Sequence, residues 1–153
     1  MQGYQVAFSW TCDDLIVTDV TLDFTVSAAL APEFYSTSLL GAPTCTFTMG
    51  MIYDTLQPFD GRTLPAGVDQ RLLNIVCDVP LGVAPRTTQI DLRNDIGDPP
   101  IINVYTVNGN SALPFLEDGV VEIAASPFHL HSCSFVATPT SVVTCHCRTR
   151  SSC

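Results

Sequence analysis

Tyr4-Gln5-Val6-Ala7-Phe8-Ser9-Trp10 decides the fold class. Its large apolar side chains recur at every second position, with Gln5, Ala7 and Ser9 between them, which is the period of a half-buried strand and not of a helix. Further along, Ile16, Thr18, Val20, Leu22, Phe24 and Val26 keep that period, with Asp19 and Asp23 on the opposite face. Phe47, Met49, Met51 and Tyr53 form a third stripe, beginning at Cys45, and Leu73, Ile75, Cys77 and Val79 a fourth. Thr88, Ile90 and Leu92 make a fifth, 101–108 a sixth and 119–125 a seventh. Between them sit turn formers such as Gly41-Ala42-Pro43, Pro58-Phe59-Asp60-Gly61, Pro65-Ala66-Gly67 and Asn108-Gly109-Asn110. Only 27–35 reads as locally helical, and Pro32 keeps it short. Seven short strands punctuated in this way predict an all-β, antiparallel β-sandwich with Phe8, Val20, Phe47 and Ile75 buried between two layers.

The 153 residues suit one domain, yet the composition divides the chain in two. All fifteen acids fall within residues 1–125, with four Arg, which puts that part near −11. Residues 126–153 carry no acid, all three His, four of the seven Cys and two Arg, near +2. A break this sharp marks a boundary. Residues 1–125 are read as the sandwich, and 126–153 as a loosely packed, Ser/Thr-rich tail or the start of another module, with short alternations at 134–137 and 140–144.

Charge excludes several functions. The net charge is −9 and there is no Lys, which argues against general nucleic-acid binding and against adhesion to anionic lipid, both of which need clustered cations. The missing Lys also removes the phosphate-binding loop, the Schiff-base lysine and the Ser-x-x-Lys nucleophile pair. No apolar run approaches the length that spans a bilayer, and Met1-Gln2-Gly3-Tyr4 lacks the pattern of a secretory signal.

Several segments occur together in a familiar order. Gln2-Gly3-Tyr4-Gln5 is followed by Leu15-Ile16-Val17, Val20-Thr21-Leu22, Pro32-Glu33-Phe34-Tyr35 and Phe47-Thr48-Met49-Gly50-Met51. Leu64-Pro65-Ala66-Gly67 then precedes Leu72-Leu73, Gly97-Asp98-Pro99-Pro100 precedes Asn103-Val104, and Gly119-Val120-Val121-Glu122-Ile123 ends the series. In this order, residues 2–124 resemble the bacterial cohesin family, in its divergent form outside the cellulosome. The resemblance implies a jelly-roll sandwich on a large extracellular protein, non-catalytic, binding a dockerin-like module through one sheet face. It also implies a first strand upstream of Gln2, so that the chain would be a fragment. A carbohydrate-binding sandwich and a structural spacer of a surface protein are the alternatives.

No residue is assigned a catalytic, cofactor-binding or metal-ligating role, although several groups merit weighing. His129-x-His131-x-Cys133 and Cys145-His146-Cys147 carry zinc-type ligands, but the Cys-x-Cys spacing is not that of a zinc finger, and incidental thiols and imidazoles are the preferred reading. Cys45 and Cys77 lie on strands that are candidates for neighbours, and a bridge needs Cα atoms within about 7 Å. Buried thiols are the default there, and Cys133, Cys145, Cys147 and Cys153 are oxidation-prone if exposed outside the cell. Asp91, Asn94, Asp95 and Asp98 offer oxygens of the kind calcium requires, without the EF-hand pattern, so turn formation is preferred. Asp13/Asp14 and Glu117/Asp118 are adjacent pairs that point apart on a strand and cannot serve as a cleft pair. Trp10, Tyr53, Tyr105 and Phe59 are candidates for a sugar platform, with core packing preferred for Trp10; Phe59 and Phe115 are the expected exposed aromatics.

Overall fold

The computed structural model describes residues 1–67 and 70–124, together with the backbone of residues 131–136 and 144–149. Its strands are β1 (Gly3–Trp10), β2 (Ile16–Thr21), β3 (Phe34–Leu40), β4 (Thr46–Ile52), β5 (Asn74–Asp78), β6 (Arg86–Leu92), β7 (Val104–Val107), β8 (Asn110–Ala112), β9 (Gly119–Ile123), β10 (His131–Val136) and β11 (Thr144–Thr149). One four-residue helix, α1 (Val26–Ala29), starts where the Thr25 hydroxyl accepts the Ala28 amide proton at 3.1 Å.

The fold is an antiparallel β-sandwich. Hydrogen-bonded neighbours run in the order β2-β5-β10-β11-β9-β6-β1-β4-β3, with β7 beside β1 and β8 beside β7. Every pairing on this path is antiparallel except β11 with β9. Side chains from both halves of the path meet in one core: Phe8, Trp10, Phe47, Met49, Met51 and Ile90 on one side, Val17, Val20, Ile75 and Cys77 on the other. Phe8 and Phe47 are direct partners in the β1–β4 register and their rings lie 4.9 Å apart. Cutting Phe47 back to Ala would cost about 3–5 kcal/mol.

The structure departs from the sequence-based expectation in three places. The period-two stripe through 16–26 is broken by a bulge between Val17 and Asp19, so Val17 and Val20, three residues apart, both face the core. Ile16 is turned outward and Phe24, beyond the end of β2, is 97% exposed. The expected helix over 27–35 is confined to Val26–Ala29, and Phe34 instead opens β3, a strand without alternation because all seven of its residues are exposed. Cys45 bridges neither to Cys77 nor stays a thiol. It is bonded to Cys12, Cα to Cα 5.5 Å, because β1 and β4 run antiparallel and the turn after Trp10 returns beside the residue that precedes Thr46. Within residues 126–153, β10 and β11 pair with one another and lie between β5 and β9 in the strand order. No helix among the described residues is long and apolar enough to cross a membrane.

Candidate functional site

In the β1–β4–β3 sheet the inner face of β1 and β4 carries the core, while β3 is exposed on both sides. The outer face is set by register as four rows: Ser9–Thr46–Leu40, Ala7–Thr48–Ser38, Gln5–Gly50–Ser36 and Gly3–Ile52–Phe34. Its centre is therefore hydroxyl, methyl and bare backbone, and its two ends are apolar, with Leu40, Ile52 and Phe34 all substantially exposed. Small side chains lose little rotamer entropy when covered, and hydroxyls pair with whatever polar groups approach. Such a surface is suited to being covered rather than to carrying out chemistry.

Two hollows shape this face. One, of about 610 Å³, has Ser9, Ser38, Thr46 and Thr48 on its floor beside Leu40, and is walled by Arg93, Asp95, Ile96 and Gly97. That wall is a turn pinned by the Ile96–Ile101 bridge (Ile101 N donates to Ile96 O, 2.8 Å), with Gly97 at a φ of 98° that favours glycine. The second hollow, of about 220 Å³, is bounded by Gln5, Phe34, Gly50, Ile52, Val104 and Thr106. The rows at their centres, Ser9–Thr46–Leu40 and Gln5–Gly50–Ser36, are four residues apart, or about 14 Å along the strands.

Local chemistry holds each edge of the face. Strand β1 is flanked by β7 at Gly3–Gln5 and by β6 at Phe8–Trp10, which leaves Ala7 between two partners. The buried Asn103 side chain fills that gap. Its Oδ1 accepts the Ala7 amide proton at 2.8 Å, and its Nδ2 donates to Arg93 O at 2.6 Å and Ala7 O at 3.2 Å. At the other end, a Cβ on Gly3 would sit 2.4 Å from Met51 O, so only glycine allows β4 this close. Beside Phe34, the Glu33 carboxylate accepts the amide protons of Thr55 (2.7 Å) and Leu56 (2.6 Å) and pairs with Arg62, whose Nε donates to Asp60 at 2.8 Å. Those two amide bonds, and then the Arg62 charge, hold Glu33 below the usual carboxylate range; the Arg62 hydrogen bond does the same for Asp60. Behind the face, Ser27 on α1 bonds the hydroxyls of Tyr4 (3.0 Å) and Tyr53 (3.1 Å), and burial raises both phenols above their ordinary value.

The groups weighed from sequence are put to other uses. Asn94 Oδ1 accepts from the Asn103 amide at 2.8 Å and Asp95 pairs with Arg93 at 2.5 Å, so both oxygens serve the turn. Among the described residues no group of three His, Cys, Asp or Glu is arranged to hold a metal ion. Asp14 is buried against Arg86, and Asp118 accepts the Leu92 amide proton at 2.9 Å. Trp10 and Tyr53 are core residues, Trp10 donating from its indole to Leu15 O at 3.1 Å, and Tyr105 is packed against the core. That removes them from a sugar platform, while Phe59 and Phe115 are exposed as expected. The side chains of His129, His131, Cys133, Cys145, His146, Cys147 and Cys153 lie outside the described residues. Sequence reasoning missed β3, the strand that gives the face its exposed edge; the run Phe34-Tyr35-Ser36-Thr37-Ser38 is rich in strand formers, and composition was the available signal.

Comparison with family models, with curated proteins and with solved structures yields no match to this chain.

Proposed function

We propose that this protein is a non-catalytic, extracellular recognition module that docks a helical, dockerin-like partner on the outer face of β1, β4 and β3. The observation that carries the reading is that face itself: exposed along β3 and half-exposed over β4, small and hydroxylic in its centre, apolar at Leu40 and at Phe34 with Ile52. An apolar-and-polar surface of this kind matches the anatomy of non-obligate interfaces. A helix laid along the strands spans the 14 Å between the two hollows with about nine residues, so its apolar anchors fall about nine positions apart. With the 1–125 part near −11, a partner bearing Arg or Lys around those anchors is steered toward it. The Cys12–Cys45 disulfide is in keeping with an oxidising, extracellular setting, and the resemblance of residues 2–124 to cohesins agrees with the choice of partner.

Binding of purified dockerin-type modules from the same organism to the full chain tests the reading. The expected result is capture at micromolar affinity or tighter, weakened at least about tenfold by Ser38→Arg or Thr48→Arg and unchanged by Ile16→Arg on β2. Equal binding by all three variants would remove the face from the interface. No binding by any dockerin-type module, with retention on insoluble polysaccharide instead, would overturn the proposed partner.

A further inference from the structure

Three cysteines stand abreast in the part of the sandwich away from the docking face. Cys77 is the register partner of Cys133 across β5 and β10, and Cys133 is the register partner of Cys147 across β10 and β11. We propose that Cys77 and Cys133 form a cross-strand disulfide that fastens the β10–β11 hairpin to the body, and that Cys147 is the thiol that exchanges with it.

The placement follows from backbone register alone. Residues directly opposite in an antiparallel pair have Cα atoms about 4.5–5.5 Å apart, inside the range of about 4.4–6.8 Å that a disulfide spans. Cys77 and Cys147 are two strands apart, about 9.6 Å, which is out of reach. Cys133 is thus the shared partner, able to bond one neighbour at a time. The same chain already closes one disulfide, Cys12–Cys45, between the turn that follows β1 and the residue that precedes β4.

The chemistry balances without a metal. In forming the bond, the Cys77 and Cys133 thiols give up two protons and two electrons, and a small-molecule disulfide such as oxidised glutathione takes them to become two thiols. In the exchange, the Cys147 thiolate attacks Cys133 Sγ, the Cys133–Cys147 bond forms, and Cys77 leaves as thiolate; no net oxidation occurs. The consequence is topological. In the strand order β10 and β11 stand between β5 and β9, leaving β5 only β2 and β9 only β6 as other neighbours. A bond at Cys77 ties the C-terminal hairpin to the sheet, and exchange to Cys147 closes the hairpin on itself and leaves only hydrogen bonds to hold it.

Full-length protein refolded in a glutathione redox buffer, alkylated under denaturing conditions and digested without reductant by trypsin and chymotrypsin tests this by mass spectrometry. Cleavage after Phe135 separates Cys133 from Cys145 and Cys147. The expected product is a Cys77–Cys133 peptide pair, alone or in mixture with Cys133–Cys147, and wholly Cys77–Cys133 in Cys147→Ser. In Cys77→Ser the partner of Cys133 becomes Cys147, and amide hydrogen exchange in β5 rises. Cys77 recovered as a thiol, or bonded elsewhere than Cys133, in both the wild-type and the Cys147→Ser chains overturns the proposal.

Discussion

Asn103 completes β1 by standing in for a missing strand residue at Ala7, accepting its amide proton at 2.8 Å and donating back to its carbonyl at 3.2 Å. Because Ala7 lies between the part of β1 that pairs with β7 and the part that pairs with β6, at the β1 end of the row Ala7–Thr48–Ser38, this one side chain lets β7 and β6 meet β1 end to end. Asn103→Ala leaves the buried Ala7 amide and the Arg93 carbonyl without that partner, and a stability loss of about 2–3 kcal/mol follows. Asn103→Asp keeps the acceptor for Ala7 but loses both donations, so it should also destabilise. Urea titrations of the two variants check this; a loss below about 0.5 kcal/mol in Asn103→Ala would mean that water replaces the amide.

The Cys12–Cys45 bond closes a loop with a sequence separation of 33. On loop-closure entropy alone its removal by a paired Ser substitution costs about 3–4 kcal/mol. The effect should show as a lower denaturant midpoint with an m-value that rises, since the unfolded chain without the cross-link is less compact. In a Cys133→Ser background, which removes the proposed second bridge, a shift of similar size upon adding reductant, absent once Cys12 and Cys45 are also Ser, would assign it to this bond.

Acid should loosen the Phe34 end of the face first. Glu33 and Asp60 are held below their ordinary values, Glu33 by the Leu56 and Thr55 amides and Asp60 by Arg62, and Asp95 is lowered in turn by Arg93. A carboxylate with a depressed folded-state pKa binds fewer protons folded than unfolded, so its contribution is complete above the unfolded value of about 4. It is lost as pH falls from there through the folded value. Thermal melting temperature is therefore expected to be flat near neutrality and to drop below about pH 4, with a shallower drop in Glu33→Gln. Unchanged slopes in that variant would show that the Glu33–Arg62 cluster is too solvated to matter.

Much of the sandwich was legible from period-two patterning, because β4, β5 and β9 alternate between buried and more exposed residues. Phe8, Phe47, Ile75 and Val20 sit in the core as the stripes imply. The misreadings have physical causes. The bulge in β2 inserts one residue and shifts the inward positions to Val17 and Val20, which a strict alternation through Ile16 and Phe24 could not anticipate. Strand β3 faces solvent on both sides, so Phe34 to Leu40 shows no polarity stripe at all. For the same reason the outer face of β1, β4 and β3 was not visible as a candidate site, since its rows are assembled across three strands and no one segment carries its pattern. Cys45 was equally opaque, because its partner is fixed by which strand lies beside β4 and not by spacing.

Alkali acts inside the core, in the row of β1 next to the Phe34 end of the face. The Tyr4 and Tyr53 hydroxyls share Ser27 inside the sandwich, and Tyr4 also donates to Leu72 O at 3.2 Å. Burial raises both phenols above their ordinary value of about 10, most strongly Tyr4, with the Ser27 bond opposing the shift. Below pH 10 both states keep these protons and stability does not depend on them. Above it the unfolded chain ionises while the folded one does not, so the folded state binds more protons and stability falls with each further rise in pH. The wild-type chain should thus unfold cooperatively in alkali, with the Tyr4 and Tyr53 share of tyrosinate absorbance appearing only as the fold is lost. Tyr4→Phe removes one buried phenol at a cost of about 1–2 kcal/mol at neutral pH and flattens the alkaline slope. If ultraviolet titration instead shows every tyrosine of the native chain ionising near pH 10 with the fold intact, the Tyr4–Ser27–Tyr53 cluster is open to water.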